Sequence, residues 1–380
     1  MTDESRQFLV FSGSNDRAVI AFLRAANRCR AKVSVVAMST DDIVHKSAYA
    51  HQVVMTRDSK SLTIELFTRW VTAVREIVGG CELVIFPSSE YLNTFLLRNR
   101  AAIEGLGCLV PLVEEDIYRL VTNKSTSGSL FARHGAIRPR EIPSSDVKPP
   151  VVAKPRANID LSGRALYPHL IFNKTDLERF HAAESASEFF FQEWVGGPSF
   201  YLLLYLPPCG APPLSTSQEN LVQQPGGKSM LFARQASIHE SPVLASSLAA
   251  LRDIRFHGLC MIEFISRSGQ MYFIELNPRP WGPIQFCEDL GVPMLEAFIA
   301  DWTGKPRPTS RARTGRTYYA WFGGLVDTVL SKGRLATHGG AKINVKLIGL
   351  ALKNDIYLRR DTWRCFVHEL WTAISRPFHD

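Results

Sequence analysis

Three short apolar runs near the start of the chain, the first two separated by a helical pattern, constrain the fold more than any other feature. The first run covers residues 8–12 and the second residues 33–37, and apolar side chains between them recur at helical spacing. Strand, helix and strand in that order form a βαβ unit, which requires a parallel sheet. A third run at residues 83–86 extends the pattern. Residues 1–115 are therefore predicted to form a Rossmann-like α/β domain with a doubly wound parallel sheet.

The same pattern predicts where this domain binds a ligand. In a doubly wound sheet, ligands bind beyond the carboxyl ends of the strands. Ser14 and Asn15 follow the first strand, and Ser89 and Glu90 follow the third run. We expect these four side chains to contact a substrate, with Glu90 suited to an ammonium group. The alternative for Glu90 is a glutamate that the dipole favours at a helix N-terminus.

The size and composition are those of a globular enzyme. The chain has 380 residues, of which 46% are hydrophobic and 21% charged, and this length predicts two or three subdomains. Its seven cysteines occur singly and without a Cys-x-x-Cys pair. This pattern argues against a disulfide framework and a structural zinc site. No signal peptide or membrane span is visible, so the cytoplasm is the expected location.

The net charge of +8 is concentrated near the end of the chain. Residues 305–380 contain 14 Lys or Arg and 5 Asp or Glu, a net charge of +9, whereas residues 1–304 contain 30 and 31, a net charge of −1. A basic region can contact an anionic membrane surface, an acidic partner or nucleic acid, or it can be a solvated surface. Nucleic acid is the least favoured, because no helix-turn-helix, zinc-finger or aromatic RNA-binding pattern is present.

An apolar stripe at helical spacing lies near the end of this basic region. Its members are Trp363, Phe366, Val367, Leu370, Trp371 and Ile374. Such a stripe can pack on its own domain, form a homodimer contact or lie on a membrane surface. We expect residues 306–380 to form a small C-terminal extension that contains this amphipathic helix.

The middle of the chain predicts several strands and one loop. Residues 151–155 form an apolar run that places Lys154 near its end. Residues 189–195 and 199–206 form two further runs around Gly-Gly-Pro, which predicts a pair of strands joined by a tight turn. Residues 207–227 are rich in Pro, Gly, Ser and Gln, and this composition predicts a mobile surface loop.

Two strand-like runs at residues 259–265 and 270–276, joined by a Ser-Arg-Ser-Gly turn, predict a hairpin. If the hairpin is centred on its last turn residue, Glu263 and Glu275 lie opposite each other on one face. Side chains alternate along a strand, so Asn277 shares that face. The side chains expected to point the other way, into a core, are Ile262, Phe264, Ile274 and Leu276.

Two facing carboxylates repel each other, and a divalent cation would relieve the repulsion. Carboxylate and amide oxygens are ligands for Mg²⁺, which often shares its coordination with substrate phosphates, and Mn²⁺ could take its place. Arg279 follows the strand and could contact a transferring phosphoryl group through its planar fork of donors. The hairpin therefore predicts a metal site at Glu263, Glu275 and Asn277, with Arg279 as the catalytic residue. An ordinary exposed edge hairpin is the alternative.

From about residue 8 to residue 305 the sequence resembles the ATP-grasp superfamily. The resemblance is strongest at residues 258–265 and 273–282, where the Glu-x-Asn-Pro-Arg string is similar to that of the carbamoyl-phosphate-synthetase-like branch. It implies an ATP-grasp domain at residues 116–305, whose two lobes enclose ATP. It also implies that the two glutamates and the asparagine of the hairpin bind Mg²⁺ and that Arg279 faces the phosphates.

The resemblance assigns nucleotide contacts to further positions. Lys124 and Lys154 match lysines that bind ATP phosphates. The connector between the lobes, which reads the adenine edge in the family, is matched by Gln192, Glu193, Trp194 and Val195. Ser199 stands where an acidic residue usually contacts the ribose, and residues 156–163 contain one glycine where the family often has several. Lys228, in a second glycine-containing loop, could share the phosphate contacts.

A two-step ligation is the activity that the resemblance implies. A carboxylate attacks the γ-phosphate of ATP to give an acyl phosphate and ADP, and an amine then displaces phosphate. The expected substrates are small-molecule carboxylates and amines, as in amino-acid or peptide ligation. Ser199 and the glycine-poor loop leave open a catalytically reduced ATP-binding regulator, and the basic region leaves a nucleic-acid-binding protein as the weaker alternative.

Overall fold

A parallel sheet forms the N-terminal part of the computed structural model, which describes residues 6–156, 166–227, 229–309, 313–340 and 343–375. The elements are β1 (Arg6–Phe11), α1 (Asp16–Arg28), β2 (Val33–Ala37), β3 (Val53–Thr56), α2 (Ile64–Val78), β4 (Glu82–Ile85), α3 (Glu90–Arg98), α4 (Arg100–Gly105) and β5 (Cys108–Leu109). The strand order is β3-β2-β1-β4-β5, and the pairings are parallel. This confirms the predicted Rossmann-like sheet. Its order reverses between β1 and β4, which places the ligand crevice at their carboxyl ends.

A smaller antiparallel sheet follows. Its region contains α5 (Glu115–Thr122), α6 (Lys124–Arg133), β6 (Glu141–Ile142), β7 (Val151–Pro155), β8 (His169–Ile171), α7 (Lys174–Ala183) and β9 (Phe189–Glu193). The strand order is β6-β9-β7-β8. Phe180, Phe189 and Phe191 are buried in its own small core. This lobe therefore has a core distinct from that of the large sheet.

The rest of the chain builds a larger antiparallel sheet and the helices around it. The elements are β10 (Ser199–Leu206), β11 (Leu214–Gln223), β12 (Met230–Ala236), α8 (Pro242–Asp253), β13 (Gly258–Arg267), β14 (Gln270–Asn277), α9 (Gln285–Asp289), α10 (Met294–Thr303), β15 (Tyr318–Ala320), α11 (Phe322–Leu330), β16 (Ala336–Thr337), α12 (Val345–Lys353) and α13 (Trp363–Ser375). The strand order is β14-β13-β10-β11-β12-β15, and β16 pairs with β11. Residues near the C-terminus thus complete the sheet that begins at Ser199.

Two expectations for the middle of the chain are wrong. β9 and β10 do not pair with each other, because β9 belongs to the small sheet and β10 to the large one. Residues 207–227 are not a surface loop, because they contain the buried strand β11. Several of its polar side chains form hydrogen bonds inside the protein: Gln218 donates to Asn220 at 2.9 Å, and Gln223 donates to the hydroxyl of Tyr201 at 3.1 Å. Hydrogen bonds of this kind allow a polar strand to be buried.

The C-terminal residues cover helix α1, which is buried on nearly every side. Arg24 on α1 pairs with Asp361 at 2.7 Å and donates to Gln285 and Thr362. Tyr357 is fully buried in the same core as β1. These contacts fix the basic C-terminal region against the N-terminal sheet. No helix in the described residues is long and apolar enough to cross a membrane.

The apolar stripe of α13 is only partly covered. Phe366 is buried and Leu370 packs against the main core. The exposed members of the stripe are Trp363, Val367, Trp371 and Ile374. The helix therefore uses one side of the stripe to pack on its own chain and leaves the other side at the surface.

Candidate active site

A large cleft of about 2100 Å³ lies where the two antiparallel sheets meet the N-terminal sheet. Fourteen of the residues that the sequence singles out line it: Ser14, Asn15, Ser89, Glu90, Lys124, Lys154, Gln192, Glu193, Trp194, Val195, Glu263, Glu275, Asn277 and Arg279. Ser199 is fully buried beneath the cleft. Lys228 and residues 157–165, which include most of the predicted phosphate-covering loop, lie outside the described residues.

The hairpin of β13 and β14 places its two glutamates face to face. Glu263 pairs with Glu275, as predicted. The turn is closed by the pair Arg267 and Gln270, a register that would not by itself align the two glutamates, and a bulge shifts the register so that they pair. The bulge leaves Ile274 without a partner in the register and turns the chain by one residue. For this reason Ile274 lines the cleft, and the expectation that it points into the core is wrong.

Burial and charge set the two glutamates apart. Burial, and then the charge of Glu275, raise the pKa of Glu263 to about 7. Burial also pushes the pKa of Glu275 upward, but Lys124, the hydrogen bond from Asn277, Lys154 and Arg279 together outweigh it and lower that pKa. Lys124 lies 3.7 Å from Glu275, and the Asn277 amide donates to it at 2.8 Å. Glu275 is thus the ionised member of the pair, and a cation would be needed to ionise both fully at neutral pH.

Ser199 supports the carboxylate of Glu263 from below. Its hydroxyl donates to Glu263 Oε1 at 2.8 Å and accepts from Asn220 Nδ2 at 2.8 Å. Asn220 in turn accepts from Gln218 on the same strand. This buried chain fixes the position of Glu263. The structure therefore places Ser199 under a carboxylate, whereas the family pattern puts the corresponding residue on the ribose.

Two lysines converge on the hairpin from different elements. Lys124 begins helix α6, whose N-terminus is capped by the Asn123 side chain. Lys154 lies on β7 and donates to the Ile274 carbonyl oxygen at 3.1 Å. Burial lowers the pKa of Lys154 to about 8 despite the opposing charge of Glu275. The end of the cleft nearest the hairpin is therefore rich in cationic donors that suit phosphate oxygens.

The connector between the sheets also lines the cleft. Gln192 donates to the Pro139 carbonyl oxygen at 3.5 Å, while its own buried Oε1 accepts no hydrogen bond from the described residues. Glu193 accepts from the Arg140 main-chain N–H at 3.2 Å. Trp194 packs edge-on against Phe172. The connector thus offers apolar surface together with an unused acceptor, which are features that suit a planar heterocycle.

The crevice of the N-terminal sheet opens into the same cleft, and two of its four predicted residues hold loops together. Asn15 has a left-handed backbone and donates to the carbonyl oxygens of Ser88 and Pro280, at 2.9 and 2.8 Å. Ser89 caps α3 by accepting from Leu92 N–H at 3.3 Å. Asn15 therefore joins the crevice to the segment that follows Arg279.

Several polar residues that line the cleft were not predicted from the sequence. They are Asp16, Arg17, Trp281, Tyr357 and Glu369. Asp16 and Arg17 directly follow the predicted Ser14 and Asn15, and Glu369 is the acidic residue within the stripe of α13. The positions of these three residues in the sequence could therefore have indicated them. Tyr357 carried no such signal, because only the packing of the C-terminal region brings it to the cleft.

The side chains at the hairpin fit a hard divalent cation. The described part of the chain contains no group of three or more His, Cys, Asp or Glu residues that could hold a metal by themselves. Two carboxylates and one amide oxygen are the donor set of Mg²⁺, which completes its coordination with phosphate oxygens and water. Because the nitrogen of Asn277 donates to Glu275, its oxygen is the atom left for a cation. Burial and Glu275 raise the pKa of Glu263, and a bound cation would lower it.

Solved structures match this chain in fold, while no protein-family model and no curated protein matches its sequence. An ADP complex of N5-carboxyaminoimidazole ribonucleotide synthetase has a TM-score of 0.62 at 12% identity, over 98% of each chain. The biotin carboxylase domain of the Hydrogenobacter thermophilus 2-oxoglutarate carboxylase, with MgADP, ADP and bicarbonate, has a TM-score of 0.60 at 16% identity, over 80% of this chain and 71% of that one. The Staphylococcus aureus N5-carboxyaminoimidazole synthetase with ADP gives 0.58 at 15%, over 82% and 80%.

These similarities define the class of fold. The chain adopts the ATP-grasp fold, in which two antiparallel lobes face each other beside an N-terminal parallel sheet. This confirms the fold that the sequence predicted. At these low identities, similarity of fold does not fix the ligands or the reaction, which depend on the residues of the cleft.

Proposed function

We propose that this protein is an ATP- and Mg²⁺-dependent ligase that activates a carboxylate as an acyl phosphate and joins it to an amine. One observation carries the proposal. Lys124, Lys154, the paired Glu263 and Glu275, and Arg279 come from separate segments and meet at one end of a single cleft. Cations and facing carboxylates at that end suit a magnesium-bound polyphosphate.

The nucleotide would lie along the cleft from the connector to the hairpin. The apolar surface of Trp194 and Val195 and the open acceptor of Gln192 suit the adenine ring and its amino group. Lys124 and Lys154 would contact the phosphates as point charges. Because Ser199 is committed to Glu263, the ribose hydroxyls would need another partner.

Glu263, Glu275 and Asn277 would hold Mg²⁺, which neutralises phosphate charge when bound. A carboxylate oxygen of the first substrate then bonds to the γ-phosphorus while the bond from phosphorus to the β–γ bridging oxygen breaks, and ADP leaves. Arg279 stabilises the charge on the transferring group. The amine nitrogen next bonds to the acyl carbon, the carbon–oxygen bond to phosphate breaks, and the amine loses its proton. The chain acts by positioning and charge, without a nucleophile of its own.

The similar solved structures support the nucleotide assignment, since they were determined with ADP or MgADP. The Hydrogenobacter domain is described as a dimer. A homodimer of this chain is part of the proposal, and sedimentation velocity over a concentration series tests it. If the protein is a monomer at all concentrations, the homodimer is excluded and the ligase assignment is unaffected.

The test of the ligase is trapping of the acyl phosphate. The protein is incubated with ATP, MgCl₂, pools of small carboxylates and hydroxylamine, and hydroxamates are detected by mass together with ADP. We expect hydroxamate in the wild-type protein, and its loss in Glu275→Gln with the fold retained by circular dichroism. The matched control is Glu76→Gln, on the exposed side of α2. ATP binding without hydroxamate or ADP in any pool would favour the regulatory alternative, and unchanged turnover in Glu275→Gln would overturn the metal assignment.

A further inference from the structure

Beyond Arg279 the cleft continues into a chamber between the N-terminal sheet and the C-terminal helices. The segment after Arg279 is tied to the start of α1 by the hydrogen bond from Asn15 to Pro280. Arg17 packs so closely on the next glycine that a Cβ at Gly282 would lie 2.7 Å from its guanidinium carbon. The residues of this acidic chamber are Asp16, Arg17, Trp281, Trp321, Tyr357 and Glu369, and all of them line the cleft.

Three polar atoms in the acidic chamber are buried and have no hydrogen-bond partner among the described residues. They are Asp16 Oδ1, Trp281 Nε1 and the Tyr357 hydroxyl. The side chains of Trp281 and Tyr357 are 1% and 0% exposed. Buried polar atoms in native proteins are almost always paired. Three unpaired atoms around one space therefore need donors and an acceptor that the described residues do not supply.

The chamber also contains more acidic than basic side chains. Arg17 is its cation, and its guanidinium is already engaged by the Met230 carbonyl oxygen, by the Tyr319 hydroxyl and by the Trp321 ring at 4.0 Å. Glu369 accepts from the Trp321 indole N–H, at 2.8 and 3.0 Å to its two oxygens. The two carboxylates thus share a single guanidinium that other groups already hold.

The pKa values of both carboxyl groups are raised, first by burial and then by neighbouring carboxylates. Burial, and then the charge of Asp42, raise the pKa of Asp16 to about 6, although Gly13 N–H and Arg17 oppose the shift. Burial raises the pKa of Glu369 to about 8, with Asp355 and Asp16 adding to the rise and Trp321 and Arg17 opposing it. A bound cation would lower both pKa values.

We propose that the acidic chamber binds the ammonium group of the amine substrate, with Asp16, Glu369 and the Tyr357 oxygen as acceptors. The ammonium gives one proton to a carboxylate of the chamber before its nitrogen attacks the acyl carbon. The inference rests on the proposed ligase function and names the class of its second substrate. The Trp281 N–H adds a requirement, because it needs an acceptor on the ligand. An amino acid or an amino alcohol carries an ammonium group and an oxygen acceptor a few bonds apart, and so satisfies both.

Neutral variants test the chamber with little risk to the fold. Asp16→Asn and Glu369→Gln imitate the protonated carboxyl groups, which burial already favours, so we expect both proteins to fold. Ligation to a pool of amino acids and amino alcohols is measured beside trapping by hydroxylamine, which is uncharged near neutral pH and needs no ammonium site. We expect the variants to retain hydroxamate formation and to lose about tenfold or more in kcat/KM for the amine, mainly through KM. Glu76→Gln serves as the control.

The two proposals fail differently in this experiment. Absence of hydroxamate in the wild-type protein would overturn the ligase. Normal hydroxamate formation together with normal amine ligation in both variants would overturn only the acidic chamber. Calorimetric titration measures binding directly and does not depend on turnover. The protein is titrated with ethanolamine hydrochloride and, for comparison, with uncharged ethylene glycol. The wild-type protein should bind ethanolamine more tightly, and each variant should lose about tenfold. Equal affinity for the two probes would contradict the assignment.

Discussion

Lys154 donates a hydrogen bond from its ammonium group to the main-chain carbonyl oxygen of Ile274, with 3.1 Å between the two atoms. Ile274 is the extra residue of the bulge that aligns Glu263 with Glu275. A bulge interrupts the ladder of a sheet and leaves main-chain groups for other partners. The contact therefore links a lysine of the small sheet to β14, the strand of the large sheet that carries Glu275. Under the proposed function, this contact would couple phosphate binding by Lys154 to metal binding by the acidic pair.

Lys154→Met should weaken ATP use without unfolding the protein. The variant keeps much of the aliphatic stem but loses the bond to Ile274 and the charge that, in the proposed function, contacts the phosphates. We expect kcat/KM for ATP to fall by about a hundredfold, as measured by ADP release over a range of ATP concentrations. The control is Lys148→Met, an exposed lysine near the start of the same strand. Equal losses in the two variants would remove Lys154 from the site.

Ser199→Ala should weaken the response to magnesium more than the response to ATP. The Ser199 hydroxyl lowers the pKa of Glu263, so its removal should raise that pKa further and make the carboxyl harder to ionise. We expect the Mg²⁺ concentration for half-maximal activity to rise by about tenfold at neutral pH. The measurement is a magnesium titration at saturating ATP, with Ser215→Ala on β11 as the control. If only the KM for ATP rises, Ser199 serves the nucleotide instead of the metal.

The sequence predicted the parallel sheet and the facing glutamates because both depend on local alternation of apolar and polar residues. The predicted face of Ile274 was wrong because the bulge is supported by contacts between residues that are distant in sequence. Lys154 donates to the Ile274 carbonyl oxygen, and the Phe273 main-chain N–H donates to the Ile137 carbonyl oxygen. Strand β11 was not predicted either. Its serines, glutamines and asparagine have loop composition, and only their partners on other strands make burial favourable.

The sequence also underestimated the C-terminal region. The apolar pattern of α1 predicted an amphipathic helix, whereas the structure buries Arg24 as well, because residues that follow Tyr357 supply its partners. Such pairings cross more than 300 residues, so no local pattern could reveal them. For the same reason the acidic chamber could not be predicted. Asp16 and Glu369 lie at opposite ends of the sequence and meet only through tertiary packing.

Glu369→Gln should stabilise the ligand-free protein at alkaline pH. The pKa of Glu369 is about 8 in the folded protein, above its ordinary value, so the folded state holds a proton that the unfolded state releases between these values. The stability of the wild-type protein should therefore fall as the pH rises from about 4.5 to about 8. Glutamine does not titrate, so the variant should match the wild type near pH 4.5 and exceed it by about 4 kcal/mol at pH 8. Urea unfolding across this range measures the difference, and a constant gap would exclude titration as its cause.

Asp361→Asn tests whether the C-terminal region is an integral part of the fold. Asp361 accepts from Arg24 and from the Tyr49 hydroxyl, and the charge reduction would leave Arg24 buried and poorly paired. Such a change costs about 3 kcal/mol. Burial pushes the pKa of Asp361 upward, but the bonds from Arg24 and Tyr49 outweigh it and lower the pKa. Its contribution is therefore present above the ordinary aspartate pKa and is lost as the pH falls through the lowered value.

The measurement for Asp361→Asn is urea unfolding at neutral pH and at about pH 3, where the gap from the wild type should shrink. Asp146→Asn, an exposed aspartate in the connection before β7, is the control. Tyr357 and Glu369 lie on either side of Asp361 in the sequence. If the C-terminal region shapes the acidic chamber, the same variant should therefore also weaken ethanolamine binding. A loss of stability with unchanged ethanolamine affinity would mean that the chamber keeps its shape without the anchor at Arg24.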